Sequence, residues 1–249
     1  MNVDSPSLIV TGGGRGIGAA IVRQAAASGY RVFFTYAGDR DSAEALVNEL
    51  RGAGHRVQTA QADVADAGAA ADVFARAESA HGPVSALVNN AGITGPLGRF
   101  RDTTVDTMRR VVDVNLLGTL YFAQEAVRRW EDTRTLGRMV NISSIAATLG
   151  APGEYVHYAA TKAGVEGFSI GLAREVASAG IRVNVVSPGT ALTQIHAAAG
   201  EPGRPQRVAA NIPMRRAGEP QEIAQAVMWL LSDASSYVTG AVMRVSGGL

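Results

Sequence analysis

Seven short runs of apolar, largely β-branched residues alternate along this chain with longer segments of helical periodicity, and that alternation constrains the fold more than any single residue does. The runs are residues 8–11, 31–36, 56–60, 86–89, 139–142, 182–186 and 242–245. Between them, residues 17–27, 42–52, 67–80, 105–130, 156–177 and 220–231 carry apolar side chains at helical spacing. Strict alternation of this kind dictates parallel strands joined by crossovers, with ligands bound beyond the carboxyl ends of the strands. No repeat, low-complexity tract or linker divides the sequence, so residues 1–249 are expected to form a single domain. The one long stretch without a clear pattern is 190–218, which holds Pro202, Pro205 and Pro213. A segment of that length inside a compact domain is expected to be a substrate lid.

Composition removes several classes of chemistry. There is no Cys, which excludes disulfides, thiolate metal sites and cysteine nucleophiles, and the 4 His residues show no metal-ligand spacing, so no metal is expected. A formal net charge of +1 gives no electrostatic case for nucleic acid or an anionic membrane. No apolar run approaches the roughly 18 residues of a membrane helix, and residues 1–7 lack the basic start and apolar stretch of a secretory signal. The expected compartment is the cytoplasm. One compositional fact is sharper: of the 23 basic residues, all but Lys162 are Arg. A compact ammonium on a narrow stem enters a pocket that a planar guanidinium does not, so position 162 is a candidate for a role that only Lys fills.

The first apolar run passes directly into Thr11-Gly12-Gly13-Gly14-Arg15-Gly16-Ile17-Gly18 and then into a helix pattern. Glycines there let the backbone approach a pyrophosphate seated on the first N–H groups of the helix. Tyr158 and Lys162 stand four apart in a helical segment and so share a face. A phenol with an ordinary pKa near 10 is a poor proton shuttle, and a neighbouring ammonium is expected to pull that value down. At the end of the second run, 33–37 reads Phe-Phe-Thr-Tyr-Ala with no acid before Asp39, while Arg15 lies in the glycine turn. A carboxylate at this point selects the ribose of NAD, and a positive charge selects the 2′-phosphate of NADP, so NADP(H) is expected to be preferred with NAD(H) as the alternative. Arg40 either assists or pairs with Asp39 or Asp41.

The spacing Gly12-x-x-x-Gly16-x-Gly18 resembles the fingerprint of the short-chain dehydrogenase/reductase family, and the resemblance extends over nearly the whole chain. Asp63-Val64 is similar to the family's adenine-holding position, Asn89-Asn90-Ala91-Gly92 to its strand-four motif, and Asn141-Ile142-Ser143-Ser144 to its strand-five motif. Tyr158-Ala-Ala-Thr-Lys162 resembles the Tyr-x-x-x-Lys signature, and Pro188-Gly189 with Thr193 the loop beside the nicotinamide. The resemblance implies an α/β Rossmann-type doubly wound parallel sheet of seven strands flanked by helices on both faces. It implies catalytic Asn115, Ser144, Tyr158 and Lys162, with Asn115 steadying a water that relays protons to Lys162. It also implies cofactor contacts at Gly12, Gly14, Arg15, Gly16, Ile17, Gly18, Thr35, Tyr36, Asp63, Val64, Asn90, Ala91, Gly92, Tyr158, Lys162, Pro188, Gly189 and Thr193, and a homotetramer.

Hydride delivery to a carbonyl leaves charge on oxygen that needs a proton donor and a prearranged hydrogen bond, here Tyr158 and Ser144. The expected activity is NADP(H)-dependent hydride transfer to or from a small carbonyl or alcohol. The alternatives are a sugar or polyol dehydrogenase, a 3-oxoacyl thioester reductase, and a non-catalytic NADP(H)-binding sensor. Ser143 reads as a strand residue, and Tyr155 and His157 are expected to point away from Tyr158. Ile195, His196, Ile212 and Met214 are expected to cover a small, partly apolar substrate. Arg128 and Arg129 are a candidate basic patch, whereas Ala179 stands where carrier-dependent reductases keep a base.

Overall fold

The computed structural model describes residues 5–249. Seven strands, β1 (Ser7–Val10), β2 (Arg31–Tyr36), β3 (Val57–Gln61), β4 (Val84–Asn89), β5 (Arg138–Ile142), β6 (Arg182–Pro188) and β7 (Val242–Val245), form one sheet. Every neighbouring pair is parallel, in the order β3-β2-β1-β4-β5-β6-β7. The helices are α1 (Gly16–Ala27), α2 (Arg40–Gly52), α3 (Ala69–His81), α4 (Val105–Val112), α5 (Gly118–Thr133), α6 (Ala146–Leu149), α7 (Val156–Val176), α8 (Ile195–Ala198), α9 (Arg204–Ala209) and α10 (Pro220–Leu231).

The period of two along a strand explains why the sheet needs helices on both faces. Leu8, Val10, Val32 and Phe34 enter a core with Ile21 and Val22 of α1, Leu46 of α2 and Leu230 of α10. Ile9 and Phe33, between them in sequence, enter the opposite core with Phe74 of α3, Phe122 and Trp130 of α5 and Val176 of α7. A helix start is written just as locally at α10, where Pro220 follows the N-cap Glu219 and Glu222 closes a capping box.

The chain leaves β1 toward β2 and β3 and then returns to lay β4 on the other side of β1. The turns after β1 and β4 therefore diverge at the carboxyl edge of the sheet and leave a crevice between them. Two departures from the expected elements matter for the site. The segment expected as one helix over 105–130 contains a π-helical turn at Asp113–Leu117 between α4 and α5. Wide turns of this kind reset the helix face, and this one carries the fully buried Asn115. The segment 190–218 contains the two short helices α8 and α9.

Candidate active site

A cavity of about 850 Å³ opens at this crevice and runs from the glycine turn to the segment 190–212. Every residue expected to touch the cofactor lines it, from Gly12 and Arg15 through Asp63 and Gly92 to Pro188 and Thr193. Ser144, Tyr158 and Lys162 line it as well, whereas Asn115 does not.

The glycine turn is held by Thr11, the last residue before it. Its Oγ1 accepts the Asn90 and Ala91 backbone amides at 3.0 and 3.1 Å, and Asn90 Nδ2 donates to the Thr11 and Gly12 carbonyls at 3.0 and 2.9 Å. The approach is so close that a Cβ on Gly18 would lie 2.2 Å from the Gly12 oxygen. Helix α1 starts with no side-chain cap and no acidic residue in its first turn. Uncapped N–H groups at a positive helix terminus, aimed into a glycine-lined crevice, fit the pyrophosphate of a dinucleotide.

At the adenosine end, Asp39 is used as the N-cap of α2, accepting the Ser42 amide at 3.1 Å. Arg40 pairs with Glu44 at 2.8 Å rather than with Asp39 or Asp41, because position i+4 lies directly above it on the helix. Among the described residues Arg15 makes no side-chain hydrogen bond or ion pair, which leaves its guanidinium available at the rim. Asp63 accepts the Ala65 amide at 3.1 Å and pairs with Arg110 of α4 at 2.7 Å. Burial opposes the ionisation of Asp63, but those partners outweigh it and hold the carboxyl below its ordinary value. Arg110 also lines the cavity, and no sequence motif marks it.

The floor at the centre is made by α7. Tyr158 and Lys162 share the expected face, with the ammonium 5.7 Å from the centroid of the phenol ring. Lys162 Nζ donates to the Ile142 carbonyl at 2.7 Å. The expected lowering of the phenol pKa is not what the surroundings produce. Burial pushes Tyr158 up to about 12, against the opposing effects of the Ser144 hydroxyl and the Arg204 charge. The reason is that the Lys162 ammonium is turned toward a backbone carbonyl, and burial pulls Lys162 itself down to about 8. Ser144 accepts the Ala146 amide at 3.2 Å at the start of α6. Ser143, expected as a strand residue, stands one residue past β5 at the cavity wall; it is buried and donates to Glu166 of α7 at 2.8 Å.

Asn115 grips the strand exit. Its Oδ1 accepts the Ile93 amide and its Nδ2 donates to the Ile93 carbonyl, both at 2.8 Å, with Thr161 Oγ1 at 3.2 Å. Between Asn115 and Lys162 stands Gly92, where a Cβ would lie 3.4 Å from Asn115 Oδ1 and 3.5 Å from Lys162 Nζ. Glycine keeps the space between the two polar tips open.

The far end of the cavity corrects several expectations. Tyr155 precedes α7 with φ −158° and is not part of the helix, so its ring turns inward and packs edge-on against Tyr158 with centroids 5.2 Å apart. His157 points away, and its Nε2 meets the Thr94 carbonyl at 2.9 Å. Ile195, His196 and Ile212 line the cavity, whereas Met214 is 60% exposed and does not. Met214 stands beyond the buried Ile212, next to Gly247, where the chain has already left the mouth. Arg204 of α9 and Glu154 line the cavity too, and no local sequence pattern marks either.

A family model described as enoyl-(acyl carrier protein) reductase matches residues 12–249. The chain is 43% identical to the uncharacterized oxidoreductase YgfF of Escherichia coli K12 over 242 residues, covering 96% of this chain and 98% of that one. It is 39% identical over 245 residues to the 3-oxoacyl-[acyl-carrier-protein] reductase FabG of Staphylococcus epidermidis, covering 98% of each. Among solved structures, a mutant of a Serratia marcescens short-chain dehydrogenase/reductase superposes with a TM-score of 0.90 at 35% identity, covering 100% of this chain and 99% of that one.

Proposed function

The chain belongs to the short-chain dehydrogenase/reductase family and is an NAD(P)-dependent oxidoreductase acting on CH–OH and C=O groups, and from this premise we propose that it reduces small, free carbonyl compounds with a preference for NADP(H). The observation that carries the reading is one cavity with a glycine-lined, cation-rimmed end and, beneath the other part, the buried Tyr158 and Lys162 with the half-buried Ser144. The bound nicotinamide supplies or takes up the hydride. The α1 amides and the glycine turn hold the pyrophosphate, Arg15 the 2′-phosphate, and Asp63 with Val64 the adenine. Thr35 and Tyr36 bound the adenosine, Asn90, Ala91 and Gly92 the middle of the dinucleotide, and Pro188, Gly189 and Thr193 the nicotinamide side.

Tyr158 gives its proton to the oxygen on which charge develops, and Ser144 donates a hydrogen bond to the same oxygen. Lys162 fixes the ribose, with its ammonium steadied by the Ile142 carbonyl. Asn115 orders the exit of β4 and so the space beside Lys162. The segment 190–218 closes over the substrate as a lid, and the protein works as a cytoplasmic single-domain subunit of a homotetramer.

Two measurements test the proposal. Oxidation of NADPH against a panel of neutral ketones, aldehydes, sugars and thioesters is expected to show turnover with the small free carbonyls, and turnover confined to sugar oxidation overturns it. NADPH is expected to exceed NADH in kcat/KM, with about tenfold of that preference lost in Arg15→Ala, since one charged contact to a phosphate is worth roughly 1.5–3 kcal/mol. Equal kcat/KM for the two cofactors in the wild type removes the preference.

A further inference from the structure

The end of the cavity beyond Tyr158 holds a buried cation that the reaction as described does not use. Arg204 is 9% exposed and opens α9 at the mouth of the lid. Its Nε donates to both oxygens of Glu154, at 3.1 and 3.2 Å, and its Nη2 to Oε2 at 2.5 Å. Its Nη1 has only a long contact to Thr190 Oγ1, at 3.5 Å. The guanidinium lies over the Tyr155 ring, 5.4 Å from its centroid, and Tyr155 in turn abuts Tyr158. Glu154 also receives Arg207 at 2.8 Å, and Arg207 pairs with Glu201 at 2.5 Å. Two cations and two anions thus alternate along one chain of ion pairs at the substrate end, with no net charge.

Backbone bonds from a further segment, 97–98, tie the same region together. The Leu97 amide donates to the Ala199 carbonyl at 3.0 Å, and the Gly98 amide to the Glu154 carbonyl at 2.9 Å. Burial works against a charged Glu154, but the hydrogen bonds and charges of Arg204 and Arg207 outweigh it and keep the carboxyl below its ordinary pKa. The other titratable group at this spot, His196, is pushed down by burial, with its Nε2 on the Ala191 carbonyl at 2.9 Å, and so contributes no compensating cation at neutral pH.

A guanidinium facing a water-poor pocket binds a carboxylate strongly when its fork is free, and poorly when a fixed carboxylate already fills that fork. Selectivity then comes from rejecting the wrong ligand as well as from contacts with the right one. We infer that Glu154 is a specificity-determining residue: by occupying Arg204 it makes the acceptor end of the cavity favour uncharged carbonyl compounds over those that carry a carboxylate. The inference rests on the reading that this end receives the substrate, and it assigns the substrate class there.

The test is equilibrium binding, which needs no turnover. Titration calorimetry with benzamide and benzoate, flat carbonyl ligands that differ in charge, is run on the NADPH-loaded wild type, on Glu154→Gln, and on Glu154→Gln combined with Arg204→Met. The wild type is expected to bind benzamide at least about tenfold tighter than benzoate, roughly 1.4 kcal/mol. Glu154→Gln, which keeps shape and frees the cation, is expected to move the ratio toward benzoate by about tenfold or more, and the double variant to lose that gain. Wild-type preference for benzoate, a ratio unmoved in Glu154→Gln, or a gain that survives removal of Arg204 overturns the inference. Binding of neither ligand to any of the three proteins overturns it as well, because the acceptor site then lies elsewhere. A failure of NADPH oxidation in the substrate panel, with these titrations behaving as expected, would instead count against the proposed reaction alone.

Discussion

The two ends of the cavity are built from different materials. At the nucleotide end the backbone does most of the work: a glycine turn, the bare start of α1, and the Thr11 and Gly12 carbonyls just past β1 that Asn90 holds. At the acceptor end side chains from three separate segments meet, and an ion pair of 2.5 Å there joins residues 50 apart in sequence. A site made of backbone tolerates no change of local geometry, as the space at Gly18 shows, but it recognises a part common to every dinucleotide. A site made of long-range side-chain pairs is open to retuning without touching the fold. Common chemistry and individual specificity thus sit on different physical supports within one crevice.

The largest expected effect falls where the two supports meet. Tyr158→Phe keeps the ring that packs on Tyr155 but removes the hydroxyl that we propose as the acid at the reacting oxygen. Its kcat is expected to fall at least about a hundredfold, roughly 2.7 kcal/mol of barrier, while the Kd for NADPH from fluorescence titration stays within about threefold. A variant that keeps more than about a tenth of wild-type kcat breaks the division of labour, because the proton then comes from elsewhere.

Lys162 gives a smaller effect of opposite sign on stability. Its ammonium is buried with one carbonyl as its hydrogen-bond partner, and no carboxylate pairs with it among the described residues. Below about 8, its value in the folded chain, it is charged both folded and unfolded, so the full burial cost applies. Between about 8 and its ordinary 10.5 the unfolded chain binds more protons than the folded one, and stability rises with pH. Tyr158 acts in reverse between 10 and about 12, where the folded chain retains a proton that the unfolded chain gives up, and stability falls. Urea denaturation is expected to find Lys162→Met inactive but more stable at pH 7 by about 1–3 kcal/mol, with the gap narrowing by pH 9. A Lys162→Met chain less stable than the wild type at pH 7 would falsify the claim that this cation is held at a cost for function.

The contrast between the two ends also explains what the sequence reveals. Strand periodicity and the glycine turn are local, so all seven strands lie where apolar alternation places them, and β2 and β7 match to the residue. The pair Tyr158 and Lys162 is one helical turn apart and is local too. The π turn around Asn115 is not, because that side chain is clamped on Ile93 in the loop after β4, 22 residues away. Arg110 finds Asp63 across 47 residues, and Glu154 finds Arg204 across 50. Neither pairing has a periodicity to betray it. Tyr155 departs from its expected direction by a single position, since one residue before the helix begins its backbone has not yet turned.

The smallest expected effect concerns a surface far from both ends. One curated relative is a 3-oxoacyl-[acyl-carrier-protein] reductase, and an acidic carrier would need free basic side chains to dock on. The candidate patch does not offer them. Arg129 is bound to Glu78 and, at 2.6 Å, to Glu125, and its guanidinium covers the Phe74 ring at 5.5 Å. Arg128 rests on the other oxygen of Glu125 at 3.2 Å, and Glu125 is buried between the two. Two arginines are thus matched by two carboxylates on the protein itself, and Ala179 supplies no third base. A carrier-bound 3-oxoacyl thioester and its free small-thiol analogue are therefore expected to agree in kcat/KM to within about tenfold, about 1.4 kcal/mol of differential transition-state binding. Arg128→Ala is expected to change their ratio by less than about twofold, since exposed pairs of this kind are worth roughly 0–1 kcal/mol. A carrier advantage of about a hundredfold that collapses in Arg128→Ala would mean that the arginine exchanges Glu125 for the carrier, and that specificity is also written on the outer helices rather than only at the mouth of the cavity.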